Sequence, residues 1–105
     1  ATVCFLAQGV KLVALSLGAE GLLLSTRGQS VRARPPLVRA LNPVGAGDAL
    51  LAGIAWALEQ GFGLAELARW GCASGTAAAM RVGTDSAPRD DVVALYAQVQ
   101  VELWE

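Results

Sequence analysis

The apolar positions of this chain run in strand-like blocks as far as a double proline and follow helical spacing beyond it. Val10–Leu15 is an almost continuous apolar run broken only by Lys11, which predicts a strand buried on both faces, as in a parallel sheet. Gly18 and Gly21 bracket a tight turn, and Leu22, Leu23 and Leu24 open a second strand behind it. Arg27-Gly28-Gln29 reads as the turn into a third strand, where Val31 and Ala33 alternate with Arg32 and Arg34 and one face is therefore wet. Ahead of these strands, residues 1–9 read as the tail of a helix that stops at Gly9.

Pro35-Pro36 forces an extended connection, because proline cannot donate to a ladder and disfavours the helical region for the residue before it. Leu50, Leu51, Ile54, Ala55 and Leu58 then keep helical spacing from a start near Gly47 or Asp48 to a stop at Gly61. A second helix, about 64 to 81, carries Ala68, Gly71, Cys72, Gly75 and Ala79 on one stripe whose small side chains admit another backbone. Ser86-Ala87-Pro88, with Asp90 and Asp91 in the first turn, opens a third helix whose apolar positions are Val92, Val93, Leu95, Tyr96 and Val99. Strands come first and helices after, without a repeat, and residues 1–105 suit one compact unit of mixed α/β content.

Composition narrows the chemistry. A 54% hydrophobic content exceeds the usual ~45–50% and implies apolar surface meant for a partner or a further segment. A formal charge of -1 gives no drive toward nucleic acid or anionic lipid, so neither is expected as a partner. Histidine is absent, which removes imidazole bases and histidine-ligated metals. Cys4 and Cys72 show no paired spacing, so both are expected as reduced, buried thiols, and no metal site is assigned. Without a long apolar run or a signal-like start, a soluble cytoplasmic protein is the expectation.

The residues that carry chemistry are Gly45-Ala46-Gly47-Asp48, directly ahead of the strongest helical pattern. Small residues let backbone N–H groups converge, and a helix start adds donors and partial positive charge, which together make a cradle for phosphate. An aspartate there is either a helix cap worth roughly 1 kcal/mol or a general base facing the same anion. A lone Gly-x-Gly before a helix is more often a plain turn, so the wider constellation has to decide.

That constellation resembles the ribokinase-like carbohydrate kinases of the phosphofructokinase-B type. Their signature is a G-A-G-D turn followed by a helix rich in small residues, here Gly45-Ala46-Gly47-Asp48 with Ala52-Gly53. Ser16-Leu17-Gly18-Ala19-Glu20-Gly21 is similar to the family's second nucleotide-contacting turn, and the likeness runs on through Gly83-Thr84 to the closing helix. The chain most resembles the 1-phosphofructokinase and tagatose-6-phosphate kinase branch, while Pro43 and Leu50 depart from residues common among relatives.

The resemblance implies the C-terminal part of a three-layer sandwich with a mainly parallel sheet, the sugar pocket and lid lying in an N-terminal part that these residues do not carry. Ala1 in place of an initiator methionine fits a fragment or a processed chain, inactive alone. ATP and Mg²⁺ are the implied cofactors, a small sugar or sugar phosphate the implied substrate, and a homodimer is left open. Asp48 would be the base, with the N–H groups of Ala46, Gly47 and Asp48 holding the transferring group and Gly45 and Gly47 allowing close approach. Ser16, Gly18, Ala19, Glu20 and Gly21 would border the nucleotide, Glu20 facing ribose or Mg²⁺-bound water unless it is simply solvated. The small stripe from Ala73 to Ala78 is an adenine wall or, by default, helix packing. Arg32, Arg34 and Arg39 are read as solvated, and Trp56, Trp70 and Trp104 as helical packing or covered surface.

Overall fold

The computed structural model describes residues 2–7, 9–38, 43–81 and 88–104. Among these residues five strands form one sheet in chain order: β1 (Thr2–Ala7), β2 (Val10–Ser16), β3 (Leu22–Thr26), β4 (Gln29–Arg34) and β5 (Gln100–Leu103). The described residues between β4 and β5 form three helices: α1 (Pro43–Glu59), α2 (Leu64–Ala79) and α3 (Arg89–Tyr96).

Every pairing in this sheet is antiparallel, which corrects the expectation of a mainly parallel one. The reason is the connections. A parallel pair needs a crossover of a dozen or more residues, whereas β1–β2 turns at Gly9, β2–β3 at a 3₁₀ turn (Gly18–Glu20) and β3–β4 at Arg27-Gly28. Val10–Leu15 is accordingly not buried on both faces: Leu12 and Ala14 are buried, Val13 and Leu15 only partly.

Residues 2–7, expected as a helix tail, are strand β1, in register from Thr2 opposite Leu15 to Ala7 opposite Val10. A short apolar run has no period that separates helix from strand, and here the hairpin at Gly9 (φ 77°) decides for strand. The turn also leaves Cys4 exposed, against the expectation that both thiols are buried. β5 was not anticipated. It follows α3 after three residues and pairs with β4, Val101 opposite Ala33, so Trp104 lies beyond a strand rather than on a helix. Its ring receives the Arg32 guanidinium, 5.5 Å from the ring centre.

The core lies between one sheet face and α2, where Leu12, Leu22, Leu24, Val31 and Ala33 meet Ala68, Cys72 and Ala73. On β4 the buried Val31 and Ala33 alternate with the part-exposed Arg32 and the exposed Arg34, as the pattern predicted. α1 packs against α2 at backbone distance. A Cβ on Gly53 would fall 2.9 Å from the Trp70 carbonyl oxygen, and one on Gly75 would fall 3.1 Å from that of Ala46. Among the described residues the sandwich therefore has two layers, sheet and helices. Trp56 and Trp70 pack edge to face at 5.0 Å, and Trp70 stacks in turn on Tyr96.

α1 begins at Pro43 rather than near Gly47 or Asp48. Proline suits a first helical position, because its ring presets φ and the missing N–H would have no partner there. α3 begins at Arg89 behind Pro88, with Asp90 and Asp91 in its first turn; Leu95 and Val99 are buried, and Val93 is exposed. Arg39, Asn42, Gly83-Thr84 and Ser86-Ala87 lie outside the described residues. Among those described, no helix is long and apolar enough to cross a membrane.

Candidate active site

β2 ends at Ser16 and the chain reverses through a turn fixed by its backbone. The Leu17 amide donates to the Gly21 carbonyl at 2.7 Å, and the Gly21 amide to the Gly18 carbonyl at 3.0 Å. Gly18 (φ 61°) and Gly21 (φ 102°) occupy the left-handed region, where a side chain is disfavoured. Gly21 also presses on β4: a Cβ there would lie 1.9 Å from the Ala33 carbonyl oxygen. The Arg32 guanidinium reaches the Glu20 carbonyl at 3.4 Å, tying the turn to the same strand.

The second expected element meets the first in space. A cavity of about 410 Å³ is lined by Ser16, Gly18, Ala19 and Gly21 from that turn and by Ala46 and Gly47 from the start of α1. Its remaining wall comes from Pro35–Val38, from Leu50, and from Cys72, Gly75, Thr76 and Ala79 on α2. Among the described lining residues none carries a charge. A concave, mostly apolar space with a few polar groups is the general form of a small-molecule site.

Of the residues singled out in the sequence, Gly45, Glu20 and Asp48 stand beside the cavity rather than in its lining. Glu20 and Asp48 are both exposed. Asp48 lies past the first turn of α1, which holds no acidic residue, so it is not that helix's cap. Gly47 has ordinary helical backbone and open space where a Cβ would be, so neither φ nor packing explains the glycine. A helix that starts at Pro43 also takes the N–H groups of Gly47 and Asp48 into its own ladder, four residues back.

The small stripe on α2 divides between two tasks: Ala73, Ala77 and Ala78 are core, while Gly75, Thr76 and Ala79 line the cavity. Sequence reasoning missed Pro35–Val38 as a wall, although the double proline was visible as a rigid extended segment. It placed Thr76 only within the stripe from Ala73 to Ala78, with no role of its own. The Thr76 hydroxyl donates to the Cys72 carbonyl at 2.8 Å. Cys72 is 3% exposed, and burial pushes its thiol up to about 11.

An α/β pair of layers with glycine turns from a strand end and a helix start converging on one apolar cavity defines a ribokinase-like kinase fold, and solved structures agree. Phosphofructokinase-2 of Escherichia coli, crystallised with substrates and products, superposes with a TM-score of 0.78 at 33% identity, over 83% of this chain and 28% of that one. That enzyme also has a structure described as its tetrameric inhibited form. The model of the pfkB family of carbohydrate kinases matches residues 2–91, and the chain belongs to that family. Over 91% of its length it is 40% identical to the 1-phosphofructokinase of Rhodobacter capsulatus, and over 78% it is 42% identical to the ATP-dependent 6-phosphofructokinase isozyme 2 of Mycobacterium tuberculosis. It spans 30% and 24% of those two relatives.

Proposed function

We propose that the intact protein transfers the terminal phosphoryl group of ATP to a hydroxyl of a sugar phosphate, as a 1-phosphofructokinase does, and that residues 1–105 are its C-terminal nucleotide-binding and catalytic portion. The observation that carries this reading is the shared cavity: Ser16–Gly21 and Ala46-Gly47, far apart in sequence, border one space. In this proposal Ser16, Gly18, Ala19 and Gly21 border the nucleotide, with Glu20 beside it. Asp48 takes the proton of the acceptor hydroxyl as its oxygen bonds to the γ-phosphorus, and the bond to the bridging oxygen breaks to release ADP. The backbone of Gly45-Ala46-Gly47-Asp48 is the anion hole. For the N–H groups of Gly47 and Asp48 to reach phosphate, the first turn of α1 has to open, and two glycines give it that freedom.

Mg²⁺ would enter on the phosphates of the nucleotide and neutralise their charge; among the described residues no trio of His, Cys, Asp or Glu side chains could hold an ion. A homo-oligomer and a cytoplasmic location belong to the same proposal. A nucleotide-binding module without catalysis is the alternative from another class, favoured by one observation: the described residues that line the cavity include no charged one. Tagatose 6-phosphate or another small sugar is the alternative acceptor.

The test is ADP release by the intact protein with ATP, Mg²⁺ and fructose 1-phosphate, fructose 6-phosphate or tagatose 6-phosphate. Release with fructose 1-phosphate is expected. Release with tagatose 6-phosphate alone would transfer the assignment to that acceptor, and ATP binding without release under any sugar phosphate would leave the module.

A further inference from the structure

The turn after β2 is held at both ends of one peptide unit, the one that joins Glu20 to Gly21. Its N–H, on Gly21, donates to the Gly18 carbonyl at 3.0 Å, and its carbonyl, on Glu20, accepts from the Arg32 guanidinium at 3.4 Å. One end is thus anchored inside the turn and the other on β4. Arg32 is itself braced: its guanidinium lies 5.5 Å from the centre of the Trp104 ring, within the range of a cation–π contact. Trp104 is fixed through its main chain, the amide donating to the Ser30 carbonyl at 2.9 Å, two residues before Arg32 on β4. A second sign separates Arg32 from a solvated strand edge. Its side chain is half-buried, and its Nε–H is cut off from water without an acceptor, a cost that swinging out into solvent would relieve.

We infer that Arg32 is a positioning residue for the nucleotide: braced by Trp104, it fixes the Glu20–Gly21 peptide and thereby the turn that borders the cavity. The inference rests on the reading above, that the cavity takes a nucleotide. Gly18, Ala19 and Gly21 line the cavity, whereas Glu20, Arg32 and Trp104 do not, so the brace acts on the site from outside. The turn needs such a hold because it is rich in glycine, and Gly18 has open space where a Cβ would be, so packing there restrains nothing. A turn already ordered before binding loses less freedom when ligand arrives, which favours affinity. Arginine suits the task because its planar guanidinium lays a face on the indole while its edge still donates, which the compact ammonium of lysine does not do. Asp48 stands on α1, outside this chain of contacts, so the brace bears on binding and leaves the transfer step alone.

The experiment measures ATP binding at equilibrium, kcat and melting temperature on variants of the intact protein. Arg32→Gln should weaken ATP binding by about two- to five-fold, the span of one exposed cation–π contact or hydrogen bond, with kcat at saturating ATP within about two-fold of the parent. Arg32→Lys should weaken it as much, since the charge alone does not replace the fork. Trp104→Ala should cost part of the same affinity and Trp104→Phe, which keeps an aromatic face, should restore it. Because the ring acts only through Arg32, adding Trp104→Ala to Arg32→Gln should weaken binding no further. The parent's ATP affinity in a folded Arg32→Gln, even with a lower melting temperature, overturns the inference and leaves Arg32 a part of the sheet; so does full additivity of the two substitutions. If Arg32→Gln does not fold, the Trp104 pair decides: weaker binding in Trp104→Ala with recovery in Trp104→Phe supports the brace, and equal affinity in both overturns it. Absence of ATP binding by the unsubstituted protein is a different failure, because it removes the nucleotide reading itself and the inference with it.

Discussion

At the end of β2, Gly21 sits at φ 102° with the Ala33 carbonyl oxygen 1.9 Å from where a Cβ would be; at the start of α1, Gly47 has helical backbone and nothing within 4 Å of that point. Both residues line the same cavity. The fold alone demands the first glycine, because any side chain would meet β4 in a conformation that L residues avoid. Nothing in the fold demands the second. Glycine inside a helix even costs roughly 1 kcal/mol against alanine, and in the proposed reading Gly47 is there to let phosphate approach the backbone. The two glycines look alike as letters, and only their surroundings separate one that the fold requires from one that it does not.

The largest expected effect falls on the α1 side of this comparison. Asp48 is exposed and lies inside the helix rather than at its cap, so Asp48→Asn should leave the melting temperature within about a degree, the two residues having similar helix propensity. If its carboxylate is the general base, the same change should lower kcat of the intact enzyme by about 10²–10⁴-fold with little change in KM for ATP. A kcat within a few-fold of the parent would make Asp48 one more solvated helix residue and would empty the α1 side of chemistry.

Next comes the contrast itself, tested by one substitution on each side. Gly21→Ala should destabilise the fold by at least about 2 kcal/mol, from left-handed strain and overpacking together, seen as a lower urea midpoint. Gly47→Val should leave that midpoint unchanged or raise it slightly, since valine is the better helix former, yet weaken ATP binding by about ten-fold or more. Equal losses of stability in both variants would erase the distinction. Full ATP affinity in a folded Gly47→Val would remove the phosphate cradle from α1.

How much of this was legible in the sequence follows the range of the interactions involved. β3, β4, α1 and α2 were readable because their periods persist over enough residues, Val31 and Ala33 alternating with two arginines and Leu50 to Leu58 keeping helical steps. β1 and β5 were not, since T-V-C-F-L-A and Q-V-E-L are too short to show a period and owe their strand state to neighbours across the sheet. Strand direction was hidden because an apolar run such as Val10–Leu15 does not reveal whether its partner runs with it or against it. The same division holds at the cavity. Ser16–Gly21 and Ala46-Gly47 announce themselves as local glycine-rich motifs, whereas Pro35–Val38 and Thr76 join only through contacts between distant segments, which leave no local pattern.

The smallest effect concerns the residue that shares the cavity wall with both turns. Cys72 is buried on α2, and desolvation raises its thiol from 9.0 to about 11. Burial penalises the thiolate, so the folded protein holds this proton to a higher pH than the unfolded chain does. The stability linked to Cys72 is therefore fully present below about pH 9 and is lost as pH rises toward about 11. Site-resolved alkylation near neutral pH should modify the exposed Cys4 and spare Cys72, the reactive species being the thiolate. Melting curves between pH 8 and 11 should fall more steeply for the parent than for Cys72→Ala, which starts lower because of the space it leaves in the core but has no thiol to ionise. Parallel pH slopes in the two proteins would show that the wall of the cavity is wetter at Cys72 than its burial implies.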